Sequence, residues 1–134
     1  MKWLYRHLHK KEKGFTLVEL MVVIIILAVL TGIAIPSYLA LRNRARIQAT
    51  RSEMQNVATA LEMYAADNDT YPAAATWNTD IQTGGYMNPV PAVDAWEVGL
   101  VFVLVSSSSY SLTSFGPDGV VGGTDNIILT NGQL

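Results

Sequence analysis

The stretch KGFTLVELMVVIIILAVLTGIAIP, residues 13–36, decides how this chain is organised. From Phe15 to Ile35 it runs for 21 residues, interrupted only by two threonines, one glycine and Glu19. At about 1.5 Å per helical residue this run is about 30 Å long, which matches the hydrocarbon core of a bilayer. It therefore predicts a membrane-spanning helix. A carboxylate one turn inside such a helix costs about 2.5–3.5 kcal/mol, so something must compensate for Glu19.

The beginning of this run carries a specific motif. Gly14 is preceded by a short basic leader and followed by FTLVEL, residues 15–20. This arrangement resembles the class III signal of type IV pilins and type II secretion pseudopilins, a family in which a prepilin peptidase cuts after the glycine and methylates the new amino terminus. The resemblance implies cleavage between Gly14 and Phe15 and an assembly role for Glu19. It also matches Pro36 to the proline that commonly follows the family's first helical segment.

The charges of the motif allow a physical interpretation of that assembly role. A freed amine on Phe15 would have a pKa of about 7.7–8 and would be largely cationic at neutral pH, and methylation keeps that charge. The amine would neutralise the carboxylate of Glu19 best between subunits shifted along an axis, because the two groups of one helix are imperfectly placed for each other. Such a shift generates a helical filament. The alternative is a plain signal anchor with an incidental glutamate.

The charge of the amino-terminal segment predicts the orientation in the membrane. Residues 1–14 contain five basic residues and one acid, a net charge of +4 with both histidines neutral. Positive flanks stay in the cytoplasm, so the carboxyl-terminal part should lie outside it. We therefore expect a removed cytoplasmic leader at 1–14, a transmembrane and filament-core helix at 15–36, and a periplasmic or extracellular globular domain at 37–134. The subunit would cross the inner membrane once before it enters a filament.

The composition after residue 14 excludes several classes of function. These 120 residues contain ten acids and four arginines, a net charge of −6, and no cysteine or histidine. Disulfides, zinc ribbons and thiol nucleophiles are therefore excluded, and no residue is suited to activate a nucleophile, so we do not expect an enzyme. Nucleic-acid binding is disfavoured because no broad basic surface exists. The arginines lie near the membrane segment and suit lipid headgroups or acidic neighbours in a filament: Arg42, Arg44, Arg46 and Arg51.

An amphipathic helix is predicted to continue from the membrane segment to about Ala66. Its apolar residues recur at steps of three, four and three: Met54, Val57, Leu61 and Tyr64. Pro36 should bend or loosen the junction, because it removes a backbone donor. Residues 73–96 are rich in Ala, Thr, Asn, Gly and Pro and are predicted to connect without forming a large element. Three aromatic residues there should cover the helix: Trp77, Tyr86 and Trp96.

Three strands are predicted after this connection. Residues 98–105 contain the run LVFVLV and indicate a strand buried on most of its surface. Residues 106–109 suit a turn, and Tyr110 and Leu112 alternate with polar residues in a second strand. Residues 127–129 suit a third. The predicted fold class is α+β and pilin-like, with a long N-terminal hydrophobic helix packed on a small three-stranded antiparallel sheet.

The segment between the second and third predicted strands is a candidate cation site. Residues 114–126, SFGPDGVVGGTDN, contain four glycines and two aspartates seven residues apart. Such a loop can point carbonyl and carboxylate oxygens at one centre, and oxygen ligands suit calcium. The spacing is not that of an EF-hand or of a phosphate-binding loop. The alternative is a glycine-rich turn whose aspartates cap backbone amides.

A second resemblance concerns this part of the chain. The tripeptide at 94–96, Asp-Ala-Trp, followed by a strand and then by the loop, resembles the carboxyl-terminal region of the major pseudopilin of type II secretion systems, whose related loop holds a structural calcium ion. Residues 97 and 98, Glu-Val, depart from the Gly-Asn-Pro pattern that often follows the tryptophan. The resemblance implies side-chain ligands from Asp118 and Asp125. It places the carbonyl ligands among Leu112, Ser114 and Val120.

These observations predict a structural subunit of a helical filament, with a type II secretion major pseudopilin that drives protein export as the main interpretation. The alternatives are a type IV pilin for adhesion, twitching motility or DNA uptake, and a monomeric membrane-anchored binding module. The implied partners are copies of the same chain, minor pilins or pseudopilins, the prepilin peptidase, an inner-membrane assembly platform with its ATPase, and membrane lipid.

Overall fold

The computed structural model describes residues 14–134 and shows helices and a small sheet in that range. Helix α1 spans Leu17–Asn68 and helix α2 spans Trp77–Thr83. The strands are β1, Val101–Ser106, β2, Ser109–Ser114, and β3, Ile127–Thr130, with a 3₁₀-helix at Gly116–Asp118 between β2 and β3. The chain divides into two compact units, of which the second is Ala40–Leu134. Except for Gly14, the predicted leader lies outside the described residues.

Helix α1 is 52 residues long and continues through Pro36. Its amino-terminal part exposes large apolar side chains on all sides; Leu27, for example, is 55 % exposed. By length and composition, α1 is the one helix of the described range that could cross a membrane. The helix ends two residues beyond the predicted Ala66, where the Asn68 amide donates to the carbonyl of Tyr64 at 2.9 Å and Asp69 turns into the left-handed region with φ 58°.

The hydrophobic core lies within residues 54–129, so the second unit has a core of its own. Met54, Val57 and Leu61 of α1 are completely buried, as their helical spacing predicts. They form one cluster with apolar residues of α2 and of all three strands: Trp77, Ile81, Phe102, Tyr110, Leu112, Ile127 and Leu129. Tyr86 and Trp96 pack against this cluster while half-buried.

The sheet is antiparallel with the order β1-β2-β3. Leu112 in the central strand pairs with Phe102 on one side and Leu129 on the other. Strand β2 alternates buried and half-buried residues, because one face covers the core while the other meets solvent. The predicted fold class, a long apolar helix with a small three-stranded antiparallel sheet, is confirmed.

One local prediction was wrong, and another region contains a short helix that was not expected. The first strand is not buried on most of its surface: Val103 and Val105 are 48 % and 66 % exposed, because they lie on the face of the sheet opposite Phe102, which is in the core. Residues 73–96 form no large element, as predicted, although they contain the seven-residue helix α2. That helix forms because it can bury Trp77 and Ile81, four residues apart on one face.

Candidate functional site

The amino-terminal motif forms a capping box at the start of α1. One oxygen of Glu19, Oε2, accepts hydrogen bonds from the backbone N–H of Thr16 at 2.8 Å and from its hydroxyl at 2.9 Å. The Thr16 hydroxyl oxygen in turn accepts from the N–H of Glu19 at 3.2 Å. These reciprocal bonds satisfy donors that a helix start leaves unpaired. Among the hydrogen bonds shown for residues 14–134, none uses the other oxygen of Glu19, Oε1.

The two residues at the expected cleavage point lie before the helix. Gly14 and Phe15 are not helical, and the Phe15 side chain is 90 % exposed. A new amino terminus at Phe15 would leave the N–H of Thr16 in place as an amide, so the capping box would survive cleavage. The arrangement therefore allows Glu19 both to cap its own helix and to present one free oxygen.

Pro36 lies inside α1, in a segment whose hydroxyls are satisfied locally. The hydroxyl of Thr31 donates to the carbonyl of Leu27 at 2.7 Å, and that of Ser37 donates to the carbonyl of Ile33 at 3.1 Å. Because these hydroxyls bond within the helix, they add little polarity to an otherwise apolar surface. Such a surface suits lipid or the helices of other subunits.

The candidate cation site lies in residues 115–126, which we call the carboxylate loop. It turns sharply at Gly119 and Gly122, whose φ angles of 64° and 84° lie in the left-handed region that favours glycine. Asp118 uses Oδ1 to accept from the N–H of Val120 at 2.9 Å. Oδ1 of Asp118 therefore caps a backbone amide, as the alternative to a cation site predicts. The other oxygen, Oδ2, is left available to bind a cation.

Three side-chain oxygens converge beside Gly123. A Cβ built on this glycine would lie 2.6 Å from Oδ1 of Asp125, 3.3 Å from Oδ2 of Asp118 and 3.5 Å from Oδ1 of Asn126. The space that the missing side chain leaves is thus lined by two carboxylates and one amide oxygen. Carboxylates brought so close repel each other unless a cation lies near them.

Asn126 contributes the amide oxygen of this group. Its Oδ1 is buried and has no hydrogen-bond partner among the described residues, and buried polar atoms are rarely left unpaired. The donor set of oxygens alone fits calcium, which binds six to eight oxygens at about 2.3–2.6 Å. Among the described residues no group of three His, Cys, Asp or Glu could hold a metal. The oxygens beside Gly123 come from two carboxylates and one amide.

The side-chain ligands implied by the sequence are brought together, and one further residue joins them. Sequence reasoning missed Asn126, although an amide directly after Asp125 in a glycine-rich loop is a usable signal. The carbonyl candidates lie in different places. Leu112 is paired with strands on both sides, Ser114 ends β2 opposite Ile127, and the carbonyl of Val120 accepts from the N–H of Gly123 at 3.4 Å.

An open pocket of about 310 Å³ lies elsewhere in the second unit, between the end of α1 and α2. Its lining includes Tyr64, Asp80 and Tyr86. The hydroxyl of Tyr86 donates to the carboxylate of Asp67 at 2.9 Å, and this hydrogen bond raises the pKa of Tyr86.

Comparison with protein families gives two matches that together cover most of the chain. The model of the prokaryotic N-terminal methylation motif matches residues 9–35. The model of type II secretion system (T2SS) protein G matches residues 37–131. Both matches confirm the resemblances drawn from the amino-terminal motif and from the carboxyl-terminal region.

Several relatives are similar over nearly their whole length, and each is named type II secretion system core protein G. The relative from Escherichia coli is 35 % identical, with 87 % of this chain and 90 % of the relative covered. The relative from Pseudomonas aeruginosa is 30 % identical, with 87 % and 92 % covered. The relative from Vibrio cholerae is 30 % identical, with 85 % and 86 % covered.

Proposed function

The chain belongs to the type II secretion system protein G family, and we therefore propose that it is a major pseudopilin, a structural subunit whose helical filament drives protein export. The observation that carries this proposal is the long apolar α1 with Glu19 at its start, joined to a separate small domain. The relatives are named as core proteins of a secretion system, which supports a structural role. They do not favour the alternative of a type IV pilin.

The apolar surface of α1 and the family together support anchoring in the inner membrane and a filament in the periplasm. In more detail, we propose that the prepilin peptidase removes residues 1–14 and that an inner-membrane platform with its ATPase extracts the subunit from lipid. The filament would contain copies of this chain with minor pseudopilins. The intact mass of the assembled subunit tests the first step: it should correspond to residues 15–134 plus one methyl group.

Glu19 would act in assembly through its charge. Its Oε2 is engaged by Thr16 within the same chain, while Oε1 can accept the methylated amine of a neighbouring Phe15. In an apolar filament core this contact would offset the cost of both charges. Capping needs only an acceptor, whereas pairing with a cation needs the negative charge.

The test therefore separates the two roles of Glu19. Glu19→Gln keeps an oxygen that can cap the helix and removes the charge, so we expect the subunit to accumulate in the membrane without forming filaments or supporting secretion. Thr16→Val, the control, keeps the charge and removes the hydroxyl of the capping box, and filaments should form. Filaments assembled from Glu19→Gln subunits would contradict the proposal.

We also propose that the carboxylate loop holds a structural calcium ion. Asp118, Asp125 and Asn126 would supply side-chain oxygens, and carbonyls would complete the set, with Leu112, Ser114 and Val120 as the candidates from the family resemblance. The ion would neutralise two converging carboxylates and tie the two ends of the loop together. This chain has no disulfide to fasten the loop.

Calcium binding is tested by thermal unfolding of the cleaved chain in detergent, followed by tryptophan fluorescence. Both tryptophans of residues 15–134, Trp77 and Trp96, belong to the second unit. At a free concentration one hundred times the dissociation constant, calcium should add about 2.7 kcal/mol relative to the chelated protein. Asp118→Ala and Asp125→Ala should each remove this gain. Equal stability with calcium and with chelator would overturn the calcium proposal and leave the filament proposal standing.

A further inference from the structure

A buried carboxylate outside the carboxylate loop organises a short turn at residues 94–98, which we call the Asp94 turn. The Asp94 side chain is only 4 % exposed. Its Oδ1 accepts hydrogen bonds from the N–H groups of Trp96 at 2.9 Å and Val98 at 3.0 Å. A buried carboxylate is tolerated only when such bonds replace its hydration, so this contact fixes the backbone of the turn.

The other oxygen of Asp94 reaches the strand from which the carboxylate loop starts. Oδ2 accepts a hydrogen bond of 2.6 Å from the hydroxyl of Ser114, the last residue of β2, whose side chain is completely buried. The Ser114 hydroxyl oxygen accepts in turn from the N–H of Gly116 at 3.2 Å. A continuous chain of hydrogen bonds therefore leads from Asp94 through Ser114 into the first turn of the loop.

This series of hydrogen bonds ends beside Asp125, one of the proposed side-chain ligands. Gly116 has a φ of 69° and packs so closely on Asp125 that a Cβ on the glycine would lie 2.6 Å from the carbonyl oxygen of Asp125 and 2.9 Å from its Oδ2. The position of Gly116 therefore limits where Asp125 can lie. A shift of Ser114 would move Gly116 and, with it, the carboxylate of Asp125.

The Asp94 turn is itself held by α1. The N–H of Ala95 donates to the hydroxyl of Thr50 at 3.2 Å, and Thr50 is completely buried within the helix. The turn thus has a rigid support on one side and the carboxylate loop on the other. Such a support is what a preorganised metal site requires, because ligands held in place lose less freedom on binding.

From these contacts we infer that Asp94 is a positioning residue for the cation site: through Ser114 and Gly116 it holds Asp125 in the place from which it binds the ion. This inference rests on the proposed calcium site. Asp94 already accepts three hydrogen bonds on its two oxygens, and it acts on the site through Ser114 rather than as a ligand.

The experiment measures calcium affinity by titration calorimetry on the cleaved full-length chain in detergent. Asp94→Asn removes the charge that holds the Ser114 hydroxyl, and Ser114→Ala removes the hydroxyl but keeps the backbone carbonyl. Each variant should weaken calcium binding about tenfold, which is typical of lost outer-shell contacts. The double variant should be little weaker than either single one, because both changes break the same chain of bonds.

Ser111→Ala is the matched control. Ser111 lies on the same strand as Ser114 but on its half-buried, opposite face, so its loss should leave the calcium affinity unchanged. Near-ultraviolet circular dichroism at the temperature of the titration verifies that each variant is folded. If Asp94→Asn does not fold, Ser114→Ala decides, because it removes one hydroxyl and no charge.

The possible outcomes separate this inference from the calcium site itself. Calcium binding to the unsubstituted chain that is unchanged in folded Asp94→Asn or Ser114→Ala overturns the positioning role and leaves the site intact. An unsubstituted chain that binds no calcium overturns both. A purely structural role would lower the unfolding temperature without calcium but would not change the affinity of the folded protein, and that result also overturns the inference.

Discussion

The Asp94 turn and the carboxylate loop both contain aspartates, but only in the Asp94 turn do both oxygens of the carboxylate accept hydrogen bonds from the protein. Asp94 accepts three hydrogen bonds from its own chain and leaves no oxygen unpaired. In the carboxylate loop, oxygens of Asp118, Asp125 and Asn126 face one another, and that of Asn126 has no partner. The first segment is therefore stabilised by contacts within the protein, and the difference supports our proposal that a cation completes the second.

The largest expected effect comes from removing the buried carboxylate of the Asp94 turn. Asp94→Ala would leave the N–H groups of Trp96 and Val98 and the hydroxyl of Ser114 without their acceptor inside the protein. Each such loss costs about 1–3 kcal/mol, so we expect a loss of about 3 kcal/mol or more in chelator. At saturating calcium the loss should be about 1.4 kcal/mol larger, because the ion then binds about tenfold more weakly. Urea unfolding followed by tryptophan fluorescence measures it.

The control for this change is Asp80→Ala. Asp80 bonds to the hydroxyl of Thr76 at 2.7 Å in an exposed contact, so its loss should cost less than about 1 kcal/mol. A similar, small cost for both variants would mean that the burial of the Asp94 carboxylate has no energetic consequence, and the comparison of the two segments would fail.

The next effect should appear only when calcium is present. Gly123→Ala places a methyl group 2.6 Å from Oδ1 of Asp125, in the space where the three oxygens converge. We expect it to remove the calcium stabilisation of about 2.7 kcal/mol at saturating ion while changing the stability of the chelated protein by less than about 1 kcal/mol. Calcium-dependent thermal unfolding measures both quantities.

Gly99→Ala is the matched glycine substitution. The nearest atom to a Cβ at Gly99 is the carbonyl oxygen of Ala92 at 4.0 Å, an ordinary contact. This variant should keep the full calcium response. If Gly123→Ala also kept it, the ion would have to bind away from the space beside Gly123.

A smaller expected effect is an increase in calcium affinity, in contrast to the losses above. Asn126→Asp adds a third carboxylate to the converging group, which should tighten calcium binding about tenfold, or about 1.4 kcal/mol, because ligand charge increases affinity for this ion. Without calcium the same change should destabilise the loop by repulsion. Titration calorimetry and unfolding in chelator test the two signs, and equal signs would contradict the assignment of Asn126.

The smallest expected effect is a loss of folding stability at high pH. It should concern the Asp94 turn and the carboxylate loop equally. Burial, aided by the nearby charge of Glu62, raises the pKa of Tyr110 above its usual value. The unfolded chain ionises its tyrosines near pH 10, so the stability that Tyr110 contributes is complete below that pH and is lost as the pH rises above it. At about pH 10.5 we expect a loss of about 0.8 kcal/mol. Tyr110→Phe should abolish this part of the loss in urea unfolding, and an unchanged loss would contradict the assignment.

Patterns set by local chemistry were predictable from the sequence. The alternation of Tyr110 and Leu112 with polar neighbours predicted β2, and the steps from Met54 to Leu61 predicted the buried face of α1. The motif at residues 14–20 predicted the family, because its residue types are tied to one processing and assembly chemistry. Each of these signals lies within a short segment, and no distant contact is needed to interpret it.

Features that depend on distant contacts were not predictable in the same way. Helix α2 is too short to show a period of its own, and it is stabilised by the burial of Trp77 and Ile81 rather than by propensity. The valines of β1 indicate a strand but not which of its faces is covered. At the candidate cation site, the sequence could suggest that Asp118 and Asp125 lie close together, because they belong to one loop. It could not suggest the contact between Asp94 and Ser114, which lie twenty residues apart.

The uncovered apolar surface at the start of α1 has a consequence for the life cycle of the subunit. Side chains such as Leu17, Ile24 and Ile33 are 75 %, 56 % and 67 % exposed, and water is a poor solvent for a surface of this kind. Lipid and the helices of other subunits are the two environments that suit it. We therefore expect the proposed filament to be reversible only through the bilayer: as it shortens, its subunits should return to the membrane as a reservoir for the next round of assembly.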